Sequence, residues 1–397
     1  MIWFSEIKMA SLFEYDPYLK SLLQSSKGID AGEGDDAISI ISFSQIAEKI
    51  QKYFQDKDGL LFIMANQAQA YIDFSSGKVS VCPIQTIGQP PLMELKAGKE
   101  AQCCIKSGYV RNDEYFVTKV AAGGGQFGGN TGVILLFSQK TMRLSRILCD
   151  EGILTEVRTA AASCLASLLF MPKVVKKIGI VGGGVQAIWQ TRFLKAVTGC
   201  RELLVLTRSK ETAENFKKLL ETEDNDVKET DKWKVTLAKT SADFRDCELI
   251  HTLTPSRSAI ISIADIDLND GREVHITAVG ADSPGKQEID PALLELENVK
   301  LCCDAGNQTV LRGEFQHLFA KSGMKESEFV SRFTPEIGNK LKKLLLEEMV
   351  TLDEILIDNN FGGIMKLAGR LRGNAALTVF DTSGVAAQDA KIAALIG

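Results

Sequence analysis

Three short stretches hold residues whose types and spacing could do chemistry. In HITAVGADSPGKQEID, at 275–290, an apolar run enters Gly280 and is followed by Asp282 and then, four residues on, by Lys286. Ligands of open α/β sheets bind beyond the carboxyl ends of strands, so an acid there can pass a proton to a bound molecule. The plain alternative is a polar turn closed by an intraloop ion pair. In KIGIVGGGVQA, Gly182, Gly184 and Ala187 stand at G-x-G-x-x-A spacing after an apolar run, with Val185 and Gln186 opening a helical pattern. Glycine permits the tight turn and lets backbone N–H groups approach a pyrophosphate, which the helix dipole stabilises. The alternative is a bare strand-to-helix turn.

The third stretch, LTRSK, ends the next apolar run. A fold that prefers NAD usually has Asp or Glu here to bind the ribose hydroxyls. This chain has Thr207, Arg208, Ser209 and Lys210 instead. Hydroxyls and cations suit a 2′-phosphate, so NADP(H) is favoured, with NAD(H) as the alternative. A competing reading has Arg208 and Lys210 solvating a helix start.

These stretches need elements to position them. From Lys177 onward, apolar runs at KIGIVG, ELLVLT, WKVTLA, ELIHTLT, EVHITAVG and VKLCCD alternate with helical or loop segments. Six such strands predict an α/β fold with a Rossmann-type, doubly wound parallel sheet. Before residue 150 the runs LLFIMA, YFVTKVA and GVILLF, set off by Gly, Pro and Asp, read as strands. Between the two regions ILTEVRTAAASCLASLLFM reads as a helix and interdomain hinge, with Thr155 as N-cap and Pro172 as stop. The Lys- and Glu-rich stretch at 321–356 reads as a helical surface insertion.

Composition narrows the partners. The 397 residues suggest two domains, and 45% hydrophobic with 24% charged residues is ordinary for a globular chain. A net charge of -5 and a pI near 5.5 argue against general nucleic-acid binding. The nine cysteines lack the paired spacing of a zinc site and read as reduced thiols, so no metal is expected. The first twenty residues do not read as a secretory signal. No long unbroken apolar run predicts a membrane span. A cytoplasmic protein is expected.

LTEVRTAAAS, IVGGGVQA, TLTPSR, AVGADSPGKQEID and FDTSGVAAQD, in this order, resemble the ornithine cyclodeaminase and mu-crystallin family, over roughly residues 80 to 390. The resemblance implies a homodimer. Residues 1–172 with 382–397 would form an α+β substrate-binding and dimerisation domain, and 173–381 the coenzyme domain. It implies that Arg158, in the first turn of its helix, holds the substrate carboxylate bidentately with help from the helix dipole. Lys119 in YFVTKVAAG matches the family's substrate lysine, and Asp282 its catalytic acid, facing the substrate nitrogen. Val279 and Gly280 would then lie beside the nicotinamide, with Lys286 ordering the loop. Thr252, Thr254 and Ser256, together with Thr382, Ser383 and Gly384, match segments lining the coenzyme, although their hydroxyls could equally cap helices or turns. His251, His275 and His317 match no ligand set and read as structural.

Two departures touch the substrate side. Many relatives carry an Arg where this chain has Gln85, and Lys106 in CIKSGY could supply the missing cation. The loop after the lysine strand is the glycine-rich GGGQFGGN rather than the family's Pro-containing loop. The activity expected is NAD(P)H-dependent reduction of a small α-imino acid, most simply a cyclic ketimine carboxylate. The alternatives are cyclisation of ornithine to proline and ammonia with bound NAD, and a mu-crystallin-like binding protein.

Overall fold

The computed structural model describes residues 38–88, 102–124, 130–223, 228–348, 351–352 and 362–397. The N-terminal stretch read for a signal lies outside these, as do residues 125–129 of the glycine-rich loop and residues 349–350 and 353–356 of the expected insertion.

Two sheets organise the chain. The first comprises β1 (Ser39–Ile41), β2 (Val79–Val81), β3 (Gln85–Ile87), β4 (Gln102–Val110), β5 (Tyr115–Gly123), β6 (Asn130–Ser138) and β7 (Leu144–Leu148). Its order is β1-β7-β6-β5-β4-β2, with β3 also on β4, and only the β1–β7 pair is parallel. The second comprises β8 (Ile178–Val181), β9 (Glu202–Leu206), β10 (Lys234–Leu237), β11 (Leu249–Thr252), β13 (Val274–Ala278), β15 (Val299–Cys303) and β16 (Leu377–Asp381). Its order is β10-β9-β8-β11-β13-β16-β15, parallel throughout. Its order reverses direction beside β8, as a doubly wound sheet requires. The six expected strands are all present. A seventh, β16, returns from far along the chain to enter between β13 and β15. A short parallel pair, β12 (Arg257–Ile261) with β14 (Gln287–Ile289), lies outside both sheets.

LLFIMA is not a strand. It lies in α2 (Lys57–Ser75), which follows α1 (Phe43–Tyr53) and is capped by the Asp56 carboxylate accepting from Gly59 N at 2.8 Å. Leu61, Ile63, Met64 and Tyr71 are buried around its circumference. A helix buried on several sides shows no helical period, so a short apolar run from it looks like a strand.

The expected hinge, α3 (Ile153–Phe170), is instead a core helix buried along nearly its whole length. Its length and apolarity would suit a membrane, but here it packs between α2 and the helix that follows β8. Its N-cap is Gly152, at φ 83°, rather than Thr155, which lies inside the first turn.

The remaining described helices of seven residues or more are α4 (Val185–Val197), α5 (Lys210–Glu223), α6 (Gly306–Arg312), α7 (Phe315–Ser322), α8 (Glu326–Phe333), α9 (Ile337–Glu347) and α10 (Ala386–Ile396). The expected insertion is helical, yet α9 is more than a surface addition. It buries Ile337, Leu341 and Leu344 in the core shared with α2 and α3, each contributing about 1.5–3 kcal/mol on full burial. The Glu336 carboxylate just before it accepts from Ser75 Oγ at 3.0 Å and from Gly306 N at 3.2 Å. All nine cysteines are free.

Gly338 brings α9 against α2 so closely that a Cβ there would lie 2.0 Å from Tyr71 O. Gly338→Ala is expected to destabilise the fold by about 1–3 kcal/mol, the scale of overpacking, read as a lower thermal midpoint. An unchanged midpoint would place α9 away from α2.

Candidate active site

The dinucleotide turn forms where β8 ends. Gly182 adopts φ 109°, and a Cβ on it would lie 2.8 Å from Leu253 O, so both conformation and space require glycine. Gly184 then serves as N-cap of α4 with no side chain bonding the first turn, and a Cβ there would meet nothing within 4 Å. Uncapped N–H groups facing open space at a helix N-terminus fit a pyrophosphate. Ala187 is buried beneath this turn. Gln186 reaches back to donate to Glu156 O at 3.2 Å.

The end of β9 carries the expected turn. Thr207 Oγ1 donates to Ser209 O at 2.5 Å. Ser209 Oγ accepts from Thr212 N at 3.2 Å, so this hydroxyl caps α5. Lys210 pairs with Glu214 on the surface at 3.4 Å. Arg208 is exposed and, among the described residues, has no side-chain partner, leaving its guanidinium available beside the turn.

The substrate-side cations gather between the two sheets. Lys106 on β4 and Lys119 on β5 are directly opposed in register and therefore share one sheet face. Lys119 Nζ donates to Asp389 Oδ1 at 2.8 Å and to Thr155 Oγ1 at 3.0 Å. Arg158 Nε donates to the same Asp389 oxygen at 3.0 Å, and its Nη1 to Gln388 Oε1 at 3.3 Å. Among the described residues Lys106 Nζ donates only to carbonyls, those of Ser383 at 3.3 Å and Gly384 at 3.1 Å. A Cβ at Gly384 would lie 2.6 Å from Arg158 Nη1, so glycine there makes room for the guanidinium. Arg158 sits in the second turn of α3 rather than the first, where the dipole contributes little.

Burial pushes the Asp389 carboxyl up, and the charges of Arg158, Lys119 and Lys106 more than reverse this, to about 2. Burial lowers Lys119 to about 8 despite the Asp389 charge. Burial and the Arg158 charge also lower Lys106. Burial raises nearby Asp150 to about 6. Lys119 and Arg158 thus share one carboxylate, and among the described residues Lys106 has none within ion-pair distance, so it is placed to meet a ligand carboxylate.

The loop after β13 adjoins this centre, because Thr382 N donates to Ala278 O at 3.0 Å and carries the β16 end alongside. Asp282 is half exposed, and its Oδ1 accepts from Lys286 Nζ at 2.5 Å. Arg312 Nε donates to Asp282 O at 3.1 Å. Beneath the loop, buried Glu288 accepts from Thr254 N at 2.5 Å and Gly280 N at 2.8 Å, clamping the ends of β11 and β13 together. Burial raises its carboxyl to about 7.

The ornithine cyclodeaminase/mu-crystallin family model matches residues 128–397, the greater part of the chain. The chain belongs to this family. The match begins beyond β5, so Lys106 and Lys119 lie outside it. Iminosuccinate reductase of Paracoccus denitrificans is 27% identical over 267 residues, 66% of this chain and 68% of that protein. Its crystal structure with NAD+ superposes with a TM-score of 0.67 at 20% identity, covering 90% of this chain and 95% of that one. A Thermococcus litoralis Δ1-pyrroline-2-carboxylate reductase, solved with NADH and L-proline, gives a TM-score of 0.66 at 19% identity, covering 90% and 96%. At such identities the structures establish the shared fold of the ornithine cyclodeaminase/mu-crystallin family.

Other expected site residues of this family member fall into two groups. Val279 and Gly280 lie at the β13 end. Thr252 is buried in β11, and Thr254 Oγ1 accepts from Ser256 N at 3.3 Å. Thr382 Oγ1 donates to buried Asp304 at 2.8 Å, and Ser383 Oγ accepts from Gln308 Nε2 at 2.8 Å. Thr382, Ser383 and Gly384 therefore adjoin the cations rather than the glycine turn. Gln85 pairs with Ile105, on the sheet face opposite Lys106, so the cation absent there was not one of this cluster. His251 is hydrogen-bonded to Ser167 Oγ at 2.8 Å and Gln190 Oε1 at 3.0 Å, and burial lowers it to about 3. His275 bonds Thr378 and Thr277, and His317 bonds Lys286 O.

Sequence reasoning missed Asp389, Glu288 and Arg312. Asp389 had one signal: a single acid in the apolar, Ala-rich segment VAAQDAKIAALI.

Asp389→Asn is expected to destabilise by about 3–5 kcal/mol, leaving two buried cations unpaired. Because the folded value lies below the unfolded one, the Asp389 contribution is present above about pH 4 and lost as pH falls through about 2. Chemical denaturation across that range should show this acid loss in the wild type and its absence in the variant.

Proposed function

We propose that this chain reduces a small α-imino carboxylate with NADPH. The observation that carries the reading is the cluster of Lys106, Lys119 and Arg158 around the single carboxylate of Asp389, beside the loop bearing Asp282. Reduced nicotinamide, when bound, supplies a hydride. The uncapped α4 N-terminus at Gly184 would hold its pyrophosphate, and the carboxyl ends of β8, β11 and β13 line one edge of the sheet.

The chain's own residues do the rest. Lys119 and Arg158 are fixed by Asp389 before any ligand arrives, so little ordering is needed when they grip the substrate carboxylate. Lys106 adds a third donor. With the carboxylate held, the imine nitrogen faces Asp282, which in its protonated form donates the proton to nitrogen. Lys286 Nζ, 2.5 Å from Asp282 Oδ1, stabilises the carboxylate that this leaves. Similarity to the Paracoccus iminosuccinate reductase supports imine reduction. Thr207 in place of an acid, and the unpartnered Arg208, support NADPH over NADH.

Residues 1–172 with 382–397 form the substrate-binding and dimerising part in this reading, and 173–381 the coenzyme part. Packing of α10 against β4, β5 and α2 supports joining the two separated segments. The outer face of the first sheet supports a homodimer. Ile105, Phe116, Val120, Leu135 and Phe137 share that face, none fully buried, and no described helix covers it.

Asp282→Asn should retain coenzyme affinity while lowering kcat at least about 100-fold, the scale of general acid catalysis. Coenzyme oxidation with a panel of imines, NADPH and NADH in parallel, measures this, and undiminished turnover would remove Asp282 from the mechanism. Arg208→Ser should narrow the preference for NADPH. Leu135→Glu, a charge in the middle of the apolar face, should yield monomer on size-exclusion chromatography.

A further inference from the structure

Two cations beside the pocket lack the ion pair that the others have. Lys119 and Arg158 share Asp389, but among the described residues Lys106 bonds only the carbonyls of Ser383 and Gly384. Arg312 is in the same condition. Its Nε donates to the Asp282 carbonyl at 3.1 Å and its Nη2 approaches Cys104 Sγ at 3.9 Å, both uncharged acceptors. Among the described residues neither Lys106 nor Arg312 has a carboxylate partner.

These two cations face one space. Cys104 and Lys106 are two residues apart on β4, so their side chains leave the same face of the sheet, opposite Ala121 and Lys119. The guanidinium that reaches Cys104 therefore lies along the face that carries the lysines, about 7 Å further along the strand. Gln308 and Arg312 are four apart on α6 and share one side of it. Gln308 Nε2 donates at 2.7 Å to the Gly384 carbonyl that also accepts from Lys106. One wall thus joins Lys106 at one end to Arg312, and through it the Asp282 loop, at the other. Such a wall has places for two anionic groups with the imine between them.

Resting on the imine-reduction reading above, we infer that the substrate is a small imino dicarboxylate. Its α-carboxylate lies on Lys106, Lys119 and Arg158, and its distal carboxylate on Arg312. The C=N bond becomes a C–N single bond as carbon gains the hydride of the reduced nicotinamide, which is oxidised, and nitrogen gains the proton of Asp282. Both carboxylates pass through unchanged. Arg312 is thus a specificity-determining residue.

The test sets oxaloacetate or 2-oxoglutarate with ammonium, as sources of dicarboxylic imines, against pyruvate with ammonium and a cyclic monocarboxylic ketimine. Wild type, Arg312→Leu and Arg312→Lys are assayed for coenzyme oxidation, and calorimetry measures binding of aspartate, glutamate and alanine. The expected result is preference for the dicarboxylates, with Arg312→Leu weakening them roughly 10- to 100-fold more than the monocarboxylates, the scale of a bond to a charged group. Arg312→Lys should recover part of this. Should no imine be reduced, the reduction reading fails, while tighter binding of aspartate or glutamate than alanine, lost in Arg312→Leu, would still support the dicarboxylate pocket. Equal binding of all three amino acids, or an equal loss on both classes in Arg312→Leu, overturns the inference and leaves Arg312 as a support of the Asp282 loop.

Discussion

One buried carboxylate sets the terms for everything around it. Asp389 is almost wholly withdrawn from water and holds both Lys119 and Arg158. Two cations brought into the interior together repel each other and lose their hydration, and this acid offsets both costs. With it, both are held aligned on one carboxylate oxygen. Strand β5, helix α3 and helix α10 each deliver one member of the triad, so their packing is tied to the electrostatics of the pocket they enclose.

The coenzyme side works by a different means. There the chain offers almost no side chains, only a glycine turn and unsatisfied backbone donors at the start of α4. Glu288 plays the part that Asp389 plays elsewhere, but toward backbone N–H groups, drawing the ends of β11 and β13 onto one carboxylate. A side-chain anion fixes each half of the site: one organises cations for the substrate, the other organises loops at the sheet edge.

Much of this was legible in the sequence where local chemistry decides it. The glycine turn announces itself by spacing, and the six strands by runs of apolar residues bounded by breakers. Asp282 and Lys286 could be picked from a single loop. What could not be read depends on distant partners. LLFIMA passes for a strand because α2 is buried on several sides. Gln85 looked like a lost substrate contact until register put it on the other sheet face. Thr155 resembled a cap, but a glycine at positive φ starts that helix and the hydroxyl serves Lys119. Asp389 was visible only as an acid out of place in an apolar helix, since nothing near it in sequence names its partners.

The separation between those partners has a consequence for how the molecule comes into being. Lys119 and Asp389 stand 270 residues apart, and the whole parallel sheet is synthesised between them. During translation β5 and α3 emerge with their cations before their counterion has been made. Contacts of such long range close slowly and leave apolar surface open in the meantime. Helix α10 is therefore the clasp of the pocket, whose cations gain their shared counterion only when that helix docks.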